Sequence, residues 1–318
     1  MAGIALVGYI LCVAVLVAGV RLIARRRPRP AEPLAPPVKS LLDAARWRAV
    51  IAVVLSTVVI VALFVAGYFM NSLVGLPVAL APALGGAAGL LLYSATPPRV
   101  IAVESDAARE ASLTPRTPLS FVPPMGASLL AATAIVQIVF LIFAGVTSSP
   151  DESGRYRVIA FQTADSASDS SPYAGWFYGV PLLVATGILV AATLLALWRV
   201  SSTPALPQRE LAEVDAGWRR ATNRLIVTIS IAALLLQLGG VAIPSGLAIR
   251  NAYLEGVPAG WDSIGLIFEG GGLAMMVGSI AGLTLTALWA FSLPDLALKR
   301  RTPTIVHSDE SADEGVPN

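Results

Sequence analysis

Seven apolar stretches of roughly twenty residues dominate the chain, at about 3–23, 49–70, 76–94, 123–146, 175–198, 225–248 and 264–292. A bilayer core of ~30 Å is crossed by roughly 20 apolar residues in helical conformation. Inside lipid every backbone donor and acceptor must pair within the protein, so only helices and closed barrels span it. The stretches lack the apolar–polar alternation of barrel strands. The expected fold is therefore all-α, a polytopic membrane helical bundle of seven transmembrane helices. Composition agrees, with 56% hydrophobic and 13% charged residues and a mean hydropathy of +0.74, far from a soluble domain of this length.

Positive charge sets the expected orientation. Of the 22 Lys and Arg residues, only Arg155, Arg157 and Arg250 fall on one side of this threading. The others occupy residues 21–48, 95–122, 199–224 and the tail. Cytoplasmic loops carry such an excess, which puts the N-terminus outside and the C-terminus inside a cytoplasmic (inner) membrane. The first stretch has no basic residue ahead of it and Arg21, Arg25, Arg26, Arg27 and Arg29 behind it, the order of an uncleaved anchor. Those five arginines read as a topology signal that also attracts anionic lipids, at ~1 kcal/mol per charge. A docking site for an acidic partner is the other reading. Tyr173, Trp176, Phe177, Tyr178, Tyr253 and Trp261 near outer ends, and Trp47, Trp198 and Trp218 near inner ends, are placed as headgroup anchors. A ligand cage would use the same rings.

Proline breaks the inner loops, with Pro28, Pro30, Pro33, Pro36 and Pro37 in the first and Pro97, Pro98, Pro115, Pro118, Pro123 and Pro124 in the second. A short amphipathic helix is expected near Lys39–Arg48, and another near Glu104–Ser112. The outer loop at about 147–174 has a β-prone stretch at Tyr156–Phe161 and suits a hairpin or small cap. Residues 299–318 read as a disordered acidic cytoplasmic tail, carrying Asp309, Glu310, Asp313 and Glu314. The transmembrane domain thus occupies 1–298.

Asp43-Ala-Ala-Arg-Trp-Arg48 and Asp215-Ala-Gly-Trp-Arg-Arg220 match with one gap, each just before a helix running outward. A 3+1+3 parallel repeat would place them in equivalent positions, with the fourth helix as linker. Chance is the competing account, since Asp106–Arg109 repeats part of the motif.

Glu269 is the ionisable residue set inside an apolar stretch, and intramembrane carboxylates often mark ion or proton pathways. It also lies near a helix N-terminus, where negative charge is favoured, and within reach of Arg250 as an ion pair. Gly270, Gly271 and Gly272 would loosen the helix there, as in discontinuous transporter helices. Gly270, Ala274, Gly278 and Gly282 recur every four residues, a stripe suited to close helix packing. Gln137 and Gln237 sit mid-helix, either bonded across helices or facing a wet cavity. Pro77, Pro82, Pro181 and Pro244 are expected to kink their helices.

The sequence offers no catalytic constellation. Cys12 is the one cysteine and His307 the one histidine, so zinc and serine–histidine protease sites lack their ligands and base. No phosphate-binding glycine loop is present, no cofactor is implied, and the basic loops lack the fold and aromatics of a nucleic-acid binder. The expectation is a non-enzymatic protein, either a permease-like carrier of a small solute or a scaffold or accessory subunit of a membrane complex, with a membrane-protein partner or a second copy beside it. In layout alone the chain resembles the sugar carriers with parallel three-helix repeats. The stretch Ser94–Pro118, with Thr-Pro-Pro-Arg at 96–99 and Leu-Thr-Pro-Arg-Thr-Pro at 113–118, is similar to one in uncharacterised multi-pass membrane proteins of high-GC bacteria. That resemblance implies no activity.

Overall fold

The structure, a computed structural model, describes residues 36–96, 117, 120–203 and 212–298, with 36–41 and 291–298 as backbone alone. The first apolar stretch, the arginines from Arg21 to Arg29, most of the loop at 95–122 and the acidic tail lie outside the described residues. Within them stand six long helices: α1 (Pro36–Phe69), α2 (Leu76–Ala95), α3 (Pro124–Val146), α4 (Trp176–Ser202), α5 (Ala212–Ala252) and α6 (Gly260–Leu298). Each contains a span long and apolar enough to cross a membrane. This is the build of a polytopic helical membrane protein.

Helices α1 and α5 begin well before their apolar stretches. The amphipathic helix expected at Lys39–Arg48 is the first part of α1, because no glycine or proline between Val38 and Ala66 interrupts it. At 1.5 Å per residue, the 41 residues of α5 reach about 62 Å, roughly twice the hydrocarbon thickness. Its first part, Glu213 to Arg224, carries the charges and stands beyond the apolar span. Apolarity marks where a helix meets lipid, whereas helix propensity and neighbours decide where it ends.

α6 runs unbroken through Gly270, Gly271 and Gly272, so the expected discontinuity is absent there. Pro82, Pro181 and Pro244 lie within continuous helices. Pro77 sits in the first turn of α2, where its missing N–H costs nothing, and it cannot kink the helix.

Helices α2, α4 and α5 form the centre. α1 packs on α2 and α6, α3 packs on α4 and α5, and α6 lies along α5 as an antiparallel hairpin. Close approach is secured by small residues. A Cβ on Gly89 would collide with Ser56 Oγ and the Ala52 carbonyl oxygen, and one on Gly85 with Ile60 and the Ser56 carbonyl. The α1–α2 pair therefore meets along Gly85-x-x-x-Gly89. On the hairpin, Gly239 faces the Gly272 carbonyl and Gly246 the Gly265 carbonyl, where a Cβ would stand 2.6 and 2.5 Å away. Ser279 donates to the Ala232 carbonyl, 2.8 Å. The packing stripe of α6 is thus Gly265, Gly272 and Ser279, seven residues apart. The expected four-residue stripe joins this interface only at its later members: a Cβ on Gly282 would stand 3.0 Å from Ala232 and one on Gly278 3.6 Å from Leu235, while nothing lies within 4 Å of one on Gly270.

One end of the bundle carries a small cap. Strands β1 (Ser149–Pro150), β2 (Tyr156–Gln162) and β3 (Ala167–Ser170) form an antiparallel sheet in the order β1-β2-β3. The β-prone stretch becomes its middle strand. Phe161 packs edge-on against Trp261, and Phe143, Phe268 and Phe140 continue the aromatic contact into α3 and α6. Tyr173 is fully buried, with its hydroxyl bonded to Thr147, and burial pushes its pKa up to about 12. These rings hold the cap to the helices. Tyr173, Tyr178 and Trp218 are buried and so are not headgroup anchors, whereas Trp47 and Trp198 remain exposed.

Asp151 organises the β1–β2 turn. It accepts from the Ser153 and Arg155 amides and from the Arg157 guanidinium. The Arg155 amide bond, followed by the Arg157 contact, holds its carboxyl below the ordinary carboxylate value. A group with a lowered folded pKa stabilises above its unfolded pKa and loses that contribution as pH falls through the folded one. The cap should keep its amide protection through neutral and mildly acid pH and loosen only below the usual carboxylate range, and Asp151→Asn should loosen it at neutral pH. Hydrogen exchange at 149–170 measures both.

The two glycine environments should give opposite signs in thermal unfolding in detergent. Gly89→Val should destabilise by about 1–3 kcal/mol through overpacking against backbone. Gly270→Ala, with open space at its Cβ, should stabilise by about 1 kcal/mol through helix propensity.

Candidate functional site

Polar side chains buried between α3, α4 and α5 form a seam along the bundle axis. On α5 they are Asn223, Ser230 and Gln237, seven residues apart and so on one helix face. On α4 they are Thr186 and Thr193, again seven apart. Gln137 joins from α3, and Ser245 continues the α5 face toward the cap. None of these side chains exceeds 2% exposure. Each α4 and α5 hydroxyl reaches the carbonyl one turn back on its own helix, as Ser and Thr do in apolar surroundings.

The seam has four levels. Nearest the cap, Ser245 Oγ accepts the Ala174 amide, 3.0 Å, and ties α5 to the start of α4. At mid-bundle, Gln137 Nε2 donates to Thr186 Oγ1 at 2.6 Å, Thr186 Oγ1 donates to the Leu182 carbonyl at 2.8 Å, and Gln237 Nε2 donates to that same carbonyl at 3.4 Å. Gln137 and Gln237 are thus brought onto adjacent points of α4. Two turns further, Thr193 and Ser230 share a 2.8 Å bond. Deepest toward the other end lies Asn223, wholly buried.

Several polar atoms here have no partner: Gln137 Oε1, Gln237 Oε1 and both the oxygen and nitrogen of the Asn223 amide. A buried carbonyl without a donor costs roughly 1–3 kcal/mol. Unpartnered buried atoms occur elsewhere among the described residues, at Ser56 Oγ, Arg199 Nε, Trp218 Nε1 and Thr222 Oγ1, but the seam gathers three carboxamides along one line.

The end opposite the cap is closed by Arg219, whose side chain is fully buried. Its guanidinium donates to both oxygens of Asp215 at 2.8 and 3.2 Å. The same group reaches the Val200 and Thr203 carbonyls, satisfying the C-terminal end of α4. Phe121 and Trp218 face it at 5.7 and 5.4 Å. Arg48, its counterpart in the matched sequence motif, serves α2 in the same way: it donates to the Tyr93 carbonyl at 3.1 Å and to Thr96 Oγ1 at 3.3 Å. The helices served, α2 and α4, do not occupy equivalent places in the expected 3+1+3 repeat.

Glu269 stands apart from the seam. It lies beside Gly246, nine residues or about 13 Å along α5 from Gln237. Its carboxylate receives Arg250 Nη1 at 3.2 and 3.1 Å, and Arg250 Nε lies 3.5 Å from Asp262. The expected ion pair is present, partly exposed and near the cap. Of the three glycines beside it, Gly272 packs on Ile243, while Gly270 and Gly271 have nothing within 4 Å of a Cβ. Among the described residues no group of three or more His, Cys, Asp or Glu could hold a metal ion.

Thr186, Thr193, Asn223 and Ser230 were not singled out from sequence. The available signal is the seven-residue spacing within each helix, Thr186 with Thr193 and Asn223 with Ser230 and Gln237, which gains meaning once the α4 and α5 faces are paired.

Comparison with known proteins finds no family model, no curated protein and no solved structure that matches the chain.

The two arginine pairs should differ sharply in weight. Asp215→Ala removes the carboxylate that accepts from the buried Arg219 guanidinium and should cost about 3–5 kcal/mol. Glu269→Gln breaks a partly exposed pair and should cost under about 1 kcal/mol. Thermal unfolding of both variants in one detergent gives the comparison.

Proposed function

We propose that the chain is a non-enzymatic, multi-pass protein of the cytoplasmic membrane that moves a small solute along the seam between α3, α4 and α5. The reading rests on one observation: unpartnered carboxamide atoms, the oxygens of Gln137 and Gln237 and both polar atoms of Asn223, buried along one axis of the bundle. Interhelical glue needs pairs that satisfy each other, as Thr193 and Ser230 do. Amides left unsatisfied at mid-bundle fit a route whose occupant completes them. The basic end, with Arg48, Arg199, Arg219, Arg220 and Arg224, then faces the cytoplasm and the sheet cap faces outside.

On this reading Glu269 is a structural partner of Arg250 rather than a coupling group. Purified protein in liposomes should release or admit small solutes faster than empty vesicles, and Glu269→Gln should keep both abundance and flux. A panel of polar and ionic solutes with no flux above the empty-vesicle rate would defeat the carrier reading.

The second reading, a scaffold or accessory subunit, is favoured by the open face of α6. There Gly270 and Gly271 lie bare beside exposed Leu273 and Val277. Small residues at a lipid-facing surface permit close approach of another helix. A partner retained in mild detergent and lost in Gly270→Leu would support it.

A further inference from the structure

We infer that the middle of this seam is a binding site for a small neutral molecule that donates hydrogen bonds, with Gln137 Oε1 and Gln237 Oε1 as its two acceptors. The inference rests on the seam being the solute route and names the chemistry of what it takes.

The orientation of both amides follows from their neighbours. The Leu182 carbonyl can only accept, so the Gln237 atom facing it is the nitrogen, and its oxygen points elsewhere. For Gln137, the observed orientation allows two bonds, Nε2 to Thr186 Oγ1 and Thr186 Oγ1 to the Leu182 carbonyl. A flipped Gln137 would draw the hydroxyl proton of Thr186 to itself and keep only one. Both unpartnered atoms are therefore carbonyl oxygens, each buried with its residue 1% exposed. The two carboxamide nitrogens meet α4 at adjacent points, linked through Thr186 and the Leu182 carbonyl.

The set of atoms selects among ligand classes. An anion would meet two carbonyl oxygens and, between Asn223 and Ser245 on the seam face of α5, no cationic side chain among the described residues. A bare cation would meet acceptors but no carboxylate there, and burying an uncompensated charge at mid-membrane is costly. A neutral N–H or O–H donor satisfies both oxygens without moving charge into the bilayer. Water is the smallest member of this class, and urea and glycerol are larger ones. Asn223, with its amide oxygen and nitrogen both unengaged, offers such a molecule a further stop toward the Arg219 end.

The test is stopped-flow light scattering on proteoliposomes with water, urea and glycerol as neutral probes, and nitrate and potassium flux as charged ones. At least one neutral probe should equilibrate several-fold faster than in empty vesicles. The near-isosteric Gln137→Met/Gln237→Met double variant should return it to the empty rate with its Tm unchanged or raised. Glu269→Gln, which lies outside the seam, should keep the flux. Fast nitrate or potassium flux with no neutral flux overturns the ligand class and leaves the route reading standing. Neutral flux that survives loss of both glutamines overturns the site. No flux of any probe removes the route and this site together. If the double variant is unstable, the two single Met variants serve, and a fallen Tm with unchanged flux in either assigns that glutamine to packing alone.

Discussion

A helix that ends at the membrane surface leaves its last carbonyls without donors, and here a buried arginine supplies them. Arg219 reaches from the charged extension of α5 to the C-terminal end of α4, with Asp215 one turn away neutralising it. The pair does more than cap. It fixes the axial register between α4 and α5, and that register sets which rows of side chains face each other across their interface. With the seven-residue rows in step, Thr193 meets Ser230 and the Gln237 amide meets the Leu182 carbonyl. A shift of one turn, about 5.4 Å, would break both.

Polar groups are buried in this seam under two regimes. The hydroxyls spend their protons on their own helix backbones, which makes them cheap to bury and leaves their oxygens as acceptors. The carboxamides have more capacity than the helix surfaces offer, so part of each remains unengaged. Outside the seam the contrast is plain: the faces of α1, α3 and α6 turned away from the core carry Val58, Ile135, Val139, Ile267 and Val277 in the open, as lipid-facing residues do.

Much of the architecture was legible in the sequence, for a physical reason. Apolarity over about twenty residues reports lipid contact, so the spans now seen as α2 and α3 were placed almost to the residue, and the β-prone outer stretch became β2. Helix ends beyond the lipid carry no such signal, so the extensions of α1 and α5 are not legible from apolarity. The glycines show the same limit. Gly270 to Gly272 looked exceptional as a run, yet spacing along one helix does not say which face has a neighbour. Gly89 and Gly246, alone in sequence, are where backbones meet. Gln137 and Gln237 were visible as polar residues in apolar runs; Thr186, Thr193, Asn223 and Ser230 blended into theirs. Trp218 shows the converse, since its position suggested the headgroup layer and the folding of Arg219 onto α4 buries it instead.

The α5–α6 hairpin has a consequence for biogenesis. Taken alone, α6 would enter the bilayer less readily, since a charged residue costs roughly 2.5–3.5 kcal/mol on insertion scales at the helix centre and less toward its end. Backbone contact along Gly239, Gly246, Gly265 and Gly272 lets the two helices partition as one object. Arg250 then accompanies Glu269 across the interface, and a nearly neutral pair enters where two separate charges would have been resisted.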